Sequence, residues 1–188
     1  MSDLLSRRRQ LMSMQTMEKN RLQSMPKSIA LLIKPVLTTF KNLIAKVDAK
    51  LLKLIEQCNE YKSTIEIMQS MPGIGNVVSF SLLSDMPELG YMTNKQASSM
   101  IGVAPINRES GSYTGKSMIR GGRSKIRTVM YMAMMSAIQC NPVFKEKYHS
   151  MVTAGKPKKV AIIACVRKMI VILNSMVRDG VKWESKCI

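Results

Sequence analysis

The densest chemistry in this sequence lies between Arg108 and Arg127. Six cations (Arg108, Lys116, Arg120, Arg123, Lys125 and Arg127) stand there against Glu109 as the sole acid. Guanidinium forks and ammonium groups at that density suit phosphate oxygens. The segment from Gly102 to Arg123 is rich in glycine, with Pro105 and short alternating runs, and predicts a loop with a hairpin rather than a helix. Ser110-Gly111 sits in its middle. By itself that pair is ordinary turn chemistry.

Two further places offer backbone or side-chain groups to an anion. Met71-Pro72-Gly73-Ile74-Gly75 interrupts an apolar helical pattern that Asn76 resumes, the outline of a helix-hairpin-helix over about 61–84. Gly73 and Gly75 would let the backbone approach a phosphate, and the N–H groups opening the second helix at Asn76 would point at it. Lys156, Lys158 and Lys159 gather at the predicted start of the last helix, where their charge opposes the helix dipole. That placement suggests an anion beside them. By contrast, Cys58, Cys140, Cys165 and Cys187 are widely spaced, and His149 is the lone histidine. No closely spaced ligand pairs exist, so no metal site is expected within this chain.

The 188 residues carry 29 Lys and Arg against 12 Asp and Glu, a formal net charge of +17. Such a balance favours a polyanion partner. The charge is uneven: residues 101–188 hold 16 cations against 4 acids, while residues 61–100 hold 2 against 3. The hydrophobic fraction of 46% excludes wholesale disorder, and 18 methionines beside 5% aromatics predict an adaptable, thioether-rich core. The longest apolar segment, Val160 to Met176, is broken by Arg167 and Lys168, so no membrane partner is expected. With no secretory signal and no disulfide pattern, the chain reads as cytoplasmic.

The elements that must position these groups are mainly α. Residues 2–24 predict a helix with Ser2 as N-cap, ended by Pro26. Pro35 then suits the first turn of a long helix over 36–71. Along it Ile33, Val36, Phe40, Leu43, Val47, Leu51, Leu54, Cys58, Tyr61, Ile65 and Met68 form a heptad seam with one stutter. Such a seam fits either a coiled-coil arm for self-association or a helix packed on its own domain. Beyond it, helices are predicted at Asn76–Leu83, Thr93–Ile101, Ser124–Gln139, after Asn141-Pro142, and from Lys158 to Asp179 with Gly180 as the stop. The organisation expected is a helical arm over 1–70 and a compact helical domain over 71–188, carrying the cationic loop at 102–123.

Several strings, in this order, resemble the C-terminal transposase domain of the insertion-sequence family one-ten, the Piv/MooV-like recombinases. They are MPGIG (71–75), SDMPELG (84–90), IGVAPINRESGSYTGK (101–116), GGRSKIRTVMYMA (121–133), NPVFKEKY (141–148), GKPKKVAIIACVRKMIVILN (155–174) and RDG (178–180). RRRQL (7–11) and EKNRL (18–22) are similar to the family's helical linker. The resemblance implies DNA transposition and recombination, with Ser110 as the nucleophile and Gly111 beside it. It implies DNA and a structured guide RNA as partners. It also implies an N-terminal RuvC-like domain with an acidic metal site.

Asp3, Glu18, Asp48, Glu56 and Glu60 lie in the linker and do not match that tetrad. The RuvC-like domain and its magnesium are therefore expected outside this chain, as is the base for Ser110. The alternative is a non-catalytic nucleic-acid-binding and dimerising remnant.

Overall fold

The computed structural model describes residues 1–111 and 113–184, and within them all side chains except those of Lys27, Ser28, Arg108, Glu109, Tyr113, Thr114 and Lys116. The fold is mainly α with one short hairpin, as the sequence predicts. In chain order the elements are α1 (Ser2–Ser24), α2 (Lys27–Glu56), α3 (Asn59–Gln69), α4 (Asn76–Asp85), α5 (Asn94–Met100), β1 (Pro105–Ser110), β2 (Tyr113–Ile119), α6 (Ser124–Cys140), α7 (Pro142–Thr153) and α8 (Lys158–Asp179). They form two compact units that meet between Lys62 and Ser63, inside α3.

In the first unit α1 and α2 pack on each other. Arg8, early in α1, pairs with Asp48, late in α2, at 2.6 Å, so the two helices run antiparallel. Three local expectations need correcting. Ser2 lies inside the first turn, and Met1 takes the N-cap position with no side-chain cap. α2 begins at Lys27, which places Pro35 inside the helix rather than in its first turn. Proline there removes one helical N–H, and the turn it interrupts is open to water, with Leu31 and Leu32 65% and 73% exposed. Finally, the helix expected over 36–71 breaks at Gln57-Cys58. Cysteine and asparagine in sequence are poor helix formers, and Asn59 starts α3 instead of continuing α2. The heptad positions divide accordingly: Ile33 and Leu51 are buried, whereas Val36, Leu43 and Leu54 stay more than a third exposed.

The second unit is organised around α8, which packs against α5, α6 and α7. Ala161, Ile162, Cys165, Val166, Met169, Ile170 and Leu173 make its buried stripe, at the three- and four-residue spacing a helix needs to keep one face inward. By length and composition α8 could cross a membrane, yet half of its apolar window is buried within the protein. Burial pushes the Cys165 thiol pKa up, so this cysteine acts as a small apolar side chain. The thioether-rich core is present: Met68, Met71, Met86, Met130, Met134 and Met169 are fully buried.

Ends of these helices follow local chemistry. Thr93 and Gln96 form a reciprocal capping box on α5. The Asn141 Oδ1 accepts from the Val143 N–H, with Pro142 in the first turn of α7. Gly180, at φ +67, closes α8 in the left-handed conformation.

Candidate functional site

The cationic stretch folds into an antiparallel hairpin in which Pro105 pairs with Ile119 and Ser110 with Tyr113. Ser110 is the last residue of β1 and is exposed, so it stands at the hairpin tip. Gly111 follows at φ +57, the left-handed conformation that tight two-residue hairpin turns require. An irregularity between Ile106 and Arg108 marks β1, where Ser117 donates to the Asn107 side chain at 2.8 Å. Ile106 and Met118, a cross-strand pair near the base, are both more than half exposed.

The base of the hairpin is held far more tightly than its tip. Gly102 and Gly122 both have positive φ, and their backbones touch. A Cβ on Gly122 would collide with the Gly102 nitrogen, and one on Gly102 with the Gly121 carbonyl. The Arg127 guanidinium donates to the carbonyls of Gly121 at 2.7 Å, Ile101 at 3.2 Å and Gly102 at 3.3 Å. The Arg123 N–H donates to the Met100 carbonyl at 2.7 Å.

Arg123 makes a second set of contacts. Its guanidinium donates to both Glu88 carboxylate oxygens at 2.7 Å and to the Asp85 carbonyl at 2.8 Å. The pair borders an open cleft of about 500 Å³, also lined by Ser84 and Lys125. Hydrogen bonding to Arg123 holds the Glu88 carboxyl at a pKa of about 2, below an ordinary value of 4.5. Because the folded value is depressed, the pair's contribution is complete above pH 4.5 and is lost as pH falls towards 2. Both side chains are more than a third exposed, so that contribution is about 1 kcal/mol or less. Glu88→Gln is expected to melt slightly below wild type at neutral pH and to match it as acid titrates the carboxylate. A gap that persists unchanged at the acid end would refute the pairing as its source.

Not every predicted residue stands ready for a phosphate. Arg120 and Lys125 are exposed. Arg123 and Arg127 are committed to internal acceptors, because folding brings Glu88 and the Gly102 carbonyl to them from 35 and 25 residues away. The side chains of Arg108 and Lys116 lie outside the described residues. Sequence reasoning missed Glu88, although Asp85 and Glu88 are the only acids between Glu66 and Glu109.

The α3–α4 turn separates its two glycines. Gly73, at φ +104, packs on α6, where a Cβ would lie 2.5 Å from the Ala137 side chain. Close packing against α6 is thus one reason for glycine at this position. Gly75 is different: it takes the N-cap position of α4, and a Cβ there would meet nothing within 4 Å. The Asn76 Oδ1 accepts from the Gln69 side chain at 2.7 Å, tying the two helices across the turn.

Lys156, Lys158 and Lys159 are exposed at the start of α8, which has no side-chain cap. His149 contacts the Tyr148 ring edge-on with centroids 5.5 Å apart. Among the described residues, no group of three or more His, Cys, Asp or Glu side chains is placed to hold a metal ion.

Comparison with known proteins finds similar sequences. The chain is 28% identical over 122 residues to the insertion element IS110 uncharacterized 43.6 kDa protein of Streptomyces coelicolor, covering 64% of this chain and 30% of that protein. It is 26% identical over 147 residues to the pilin gene-inverting protein of Moraxella bovis, covering 76% of this chain and 46% of that one. It is 29% identical over 120 residues to the insertion element IS900 42 kDa protein of Mycobacterium paratuberculosis, with 61% and 29% covered. The matched region therefore spans less than half the length of each of these relatives. Residues 65–149, which include the α3–α4 turn, the hairpin and its clamp, match the model of the transposase IS116/IS110/IS902 family.

Proposed function

We propose that this chain is a DNA-binding transposase domain that presents Ser110 as the nucleophile for strand cleavage and rejoining. One observation carries the reading: Ser110 lies exposed at the tip of a hairpin whose base is locked by the Gly102–Gly122 contact and Arg127. A rigid base with an open tip suits a nucleophile that must reach into a polymer too large to enter a pocket. The Moraxella relatives are named for inverting a pilin gene, a DNA rearrangement, which supports the same reading.

In the proposed reaction the Ser110 Oγ attacks a DNA phosphorus, forming an Oγ–P bond as the bond to the leaving sugar oxygen breaks. The Oγ proton passes to a base, and the departing oxygen takes up a proton. The resulting phosphoserine diester keeps the bond energy, so a strand hydroxyl can attack it and restore the serine. Arg120, with Arg108 and Lys116 on the same hairpin, supplies positive charge for the phosphate oxygens. The described residues do not fit a magnesium site, so no step here is assigned to a metal. A RuvC-like domain from outside these residues would complete the composite site, with a structured RNA choosing the DNA.

Self-association belongs to this proposal. Leu31, Leu32, Val36 and Leu43 leave an apolar surface on α2 that a second copy would cover. Sedimentation showing a monomer at tens of micromolar would remove that part.

Binding itself is tested by salt. Arg120, Lys125, Lys156, Lys158 and Lys159 are exposed cations. If each neutralises one phosphate, log affinity for duplex DNA should fall against log salt with a slope of roughly −4.5. Affinity unchanged between low and moderate salt would overturn the DNA-binding reading. Arg123 and Arg127, already engaged, favour a second reading in which the domain binds without cleaving, and loss of the covalent adduct separates the two.

A further inference from the structure

Tyr91 is 89% exposed, the most exposed large side chain among the described apolar and aromatic residues. Its neighbours are the opposite: Leu89 and Met92 are 7% and 8% exposed. An exposed ring between two buried residues is either incidental or presented. The backbone around it decides the question.

Asn174 of α8 is fully buried, and both halves of its amide are used on this one loop. Its Oδ1 accepts from the Gly90 N–H at 2.9 Å, and its Nδ2 donates to the Met92 carbonyl at 2.7 Å. These bonds grip the chain immediately before and immediately after Tyr91, from 84 and 82 residues away. The Tyr91 N–H is also held, donating to the Glu88 carbonyl at 3.0 Å. Downstream, the Thr93–Gln96 capping box fixes where α5 begins. A buried asparagine is costly unless every polar atom is partnered. Here that requirement is met in a conformation that leaves the Tyr91 side chain in solvent. Such a ring has little backbone entropy left to lose on contact, which strengthens whatever it binds.

We propose that Tyr91 is a stacking platform for an unpaired nucleobase. The inference rests on the nucleic-acid-binding reading above and deepens it by assigning a contact to unstacked strands. The partner follows from chemistry. The protein is strongly cationic, so a polyanion approaches it, and every nucleobase offers a π-face to an exposed aromatic without needing a specific sequence. Strand exchange exposes such bases, whereas intact duplex hides them.

The test compares two fluorescent DNA probes bound by the full chain: a duplex, and a single strand of the same sequence. Tyr91→Ala should weaken single-strand binding by roughly 5- to 100-fold while leaving duplex binding within about twofold. Tyr91→Phe should match wild type on both, since the ring does the stacking. The substituted side chain is exposed, so folding is not at stake. Equal affinity of Tyr91→Ala and wild type for the single strand would overturn the inference and leave DNA binding standing. So would a Tyr91→Phe loss as large as that of alanine, which would assign the contact to the hydroxyl. A wild-type protein that binds neither probe would overturn the nucleic-acid reading, and this one with it.

Discussion

Gly122→Ala should destabilise the second unit by roughly 2–5 kcal/mol, with loss of the hairpin's fixed attitude. The figure combines two costs. A residue with a Cβ held at φ +66 is strained by about 1–2 kcal/mol. Its Cβ would also collide with the backbone nitrogen of Gly102 and lie 2.7 Å from the Gly102 Cα. Backbone atoms cannot swing aside as a side-chain end can, so overpacking adds roughly 1–3 kcal/mol. Gly111→Ala is the matched control, because it has positive φ but open space, and should show the strain alone. Trp183 is the protein's lone tryptophan, stacked on Phe144 with centroids 6.0 Å apart, so its fluorescence reports unfolding of this unit in denaturant. Equal losses for the two alanine variants would show that the Gly102–Gly122 contact does not hold the base.

Ser110→Ala should abolish a covalent protein–DNA adduct while changing DNA affinity by no more than a few-fold. The hydroxyl is exposed at the tip, and one such group contributes about 1 kcal/mol or less to an interface dominated by phosphate contacts. Removing it deletes the proposed attacking atom and nothing else of comparable weight. Arg120→Ala should behave differently, lowering both affinity and adduct yield, since a guanidinium supports the bound phosphate and its transition state alike. Gel-shift and denaturing-gel measurements on the same samples separate the two behaviours.

Features set by neighbouring residues were legible in the sequence. Asn141-Pro142 opens α7, and Gly180 stops α8 at Asp179. The glycines and alternation of 102–123 imply a hairpin, and the structure puts Ser110 at its end. Features set by distant residues were not. Arg123 looks like any other cation in its run until Glu88 meets it, and Arg127 until three carbonyls converge on it. Gly73 shows its purpose only when Ala137 of α6 lies against it. The arm illustrates a different gap: a heptad seam tolerates a break, so periodicity alone passed through Gln57-Cys58 where the helix ends.

The most direct test of the central claim is to locate the DNA attachment by mass spectrometry. The full chain would be incubated with DNA, a structured RNA and a longer family member whose own matching serine has been replaced, then digested with protease and nuclease. The account predicts a nucleotide mass on the peptide containing Ser110, absent from the Ser110→Ala protein. An adduct on any other residue, one that survives Ser110→Ala, or no adduct under conditions where the longer protein with its serine intact forms one, would contradict it.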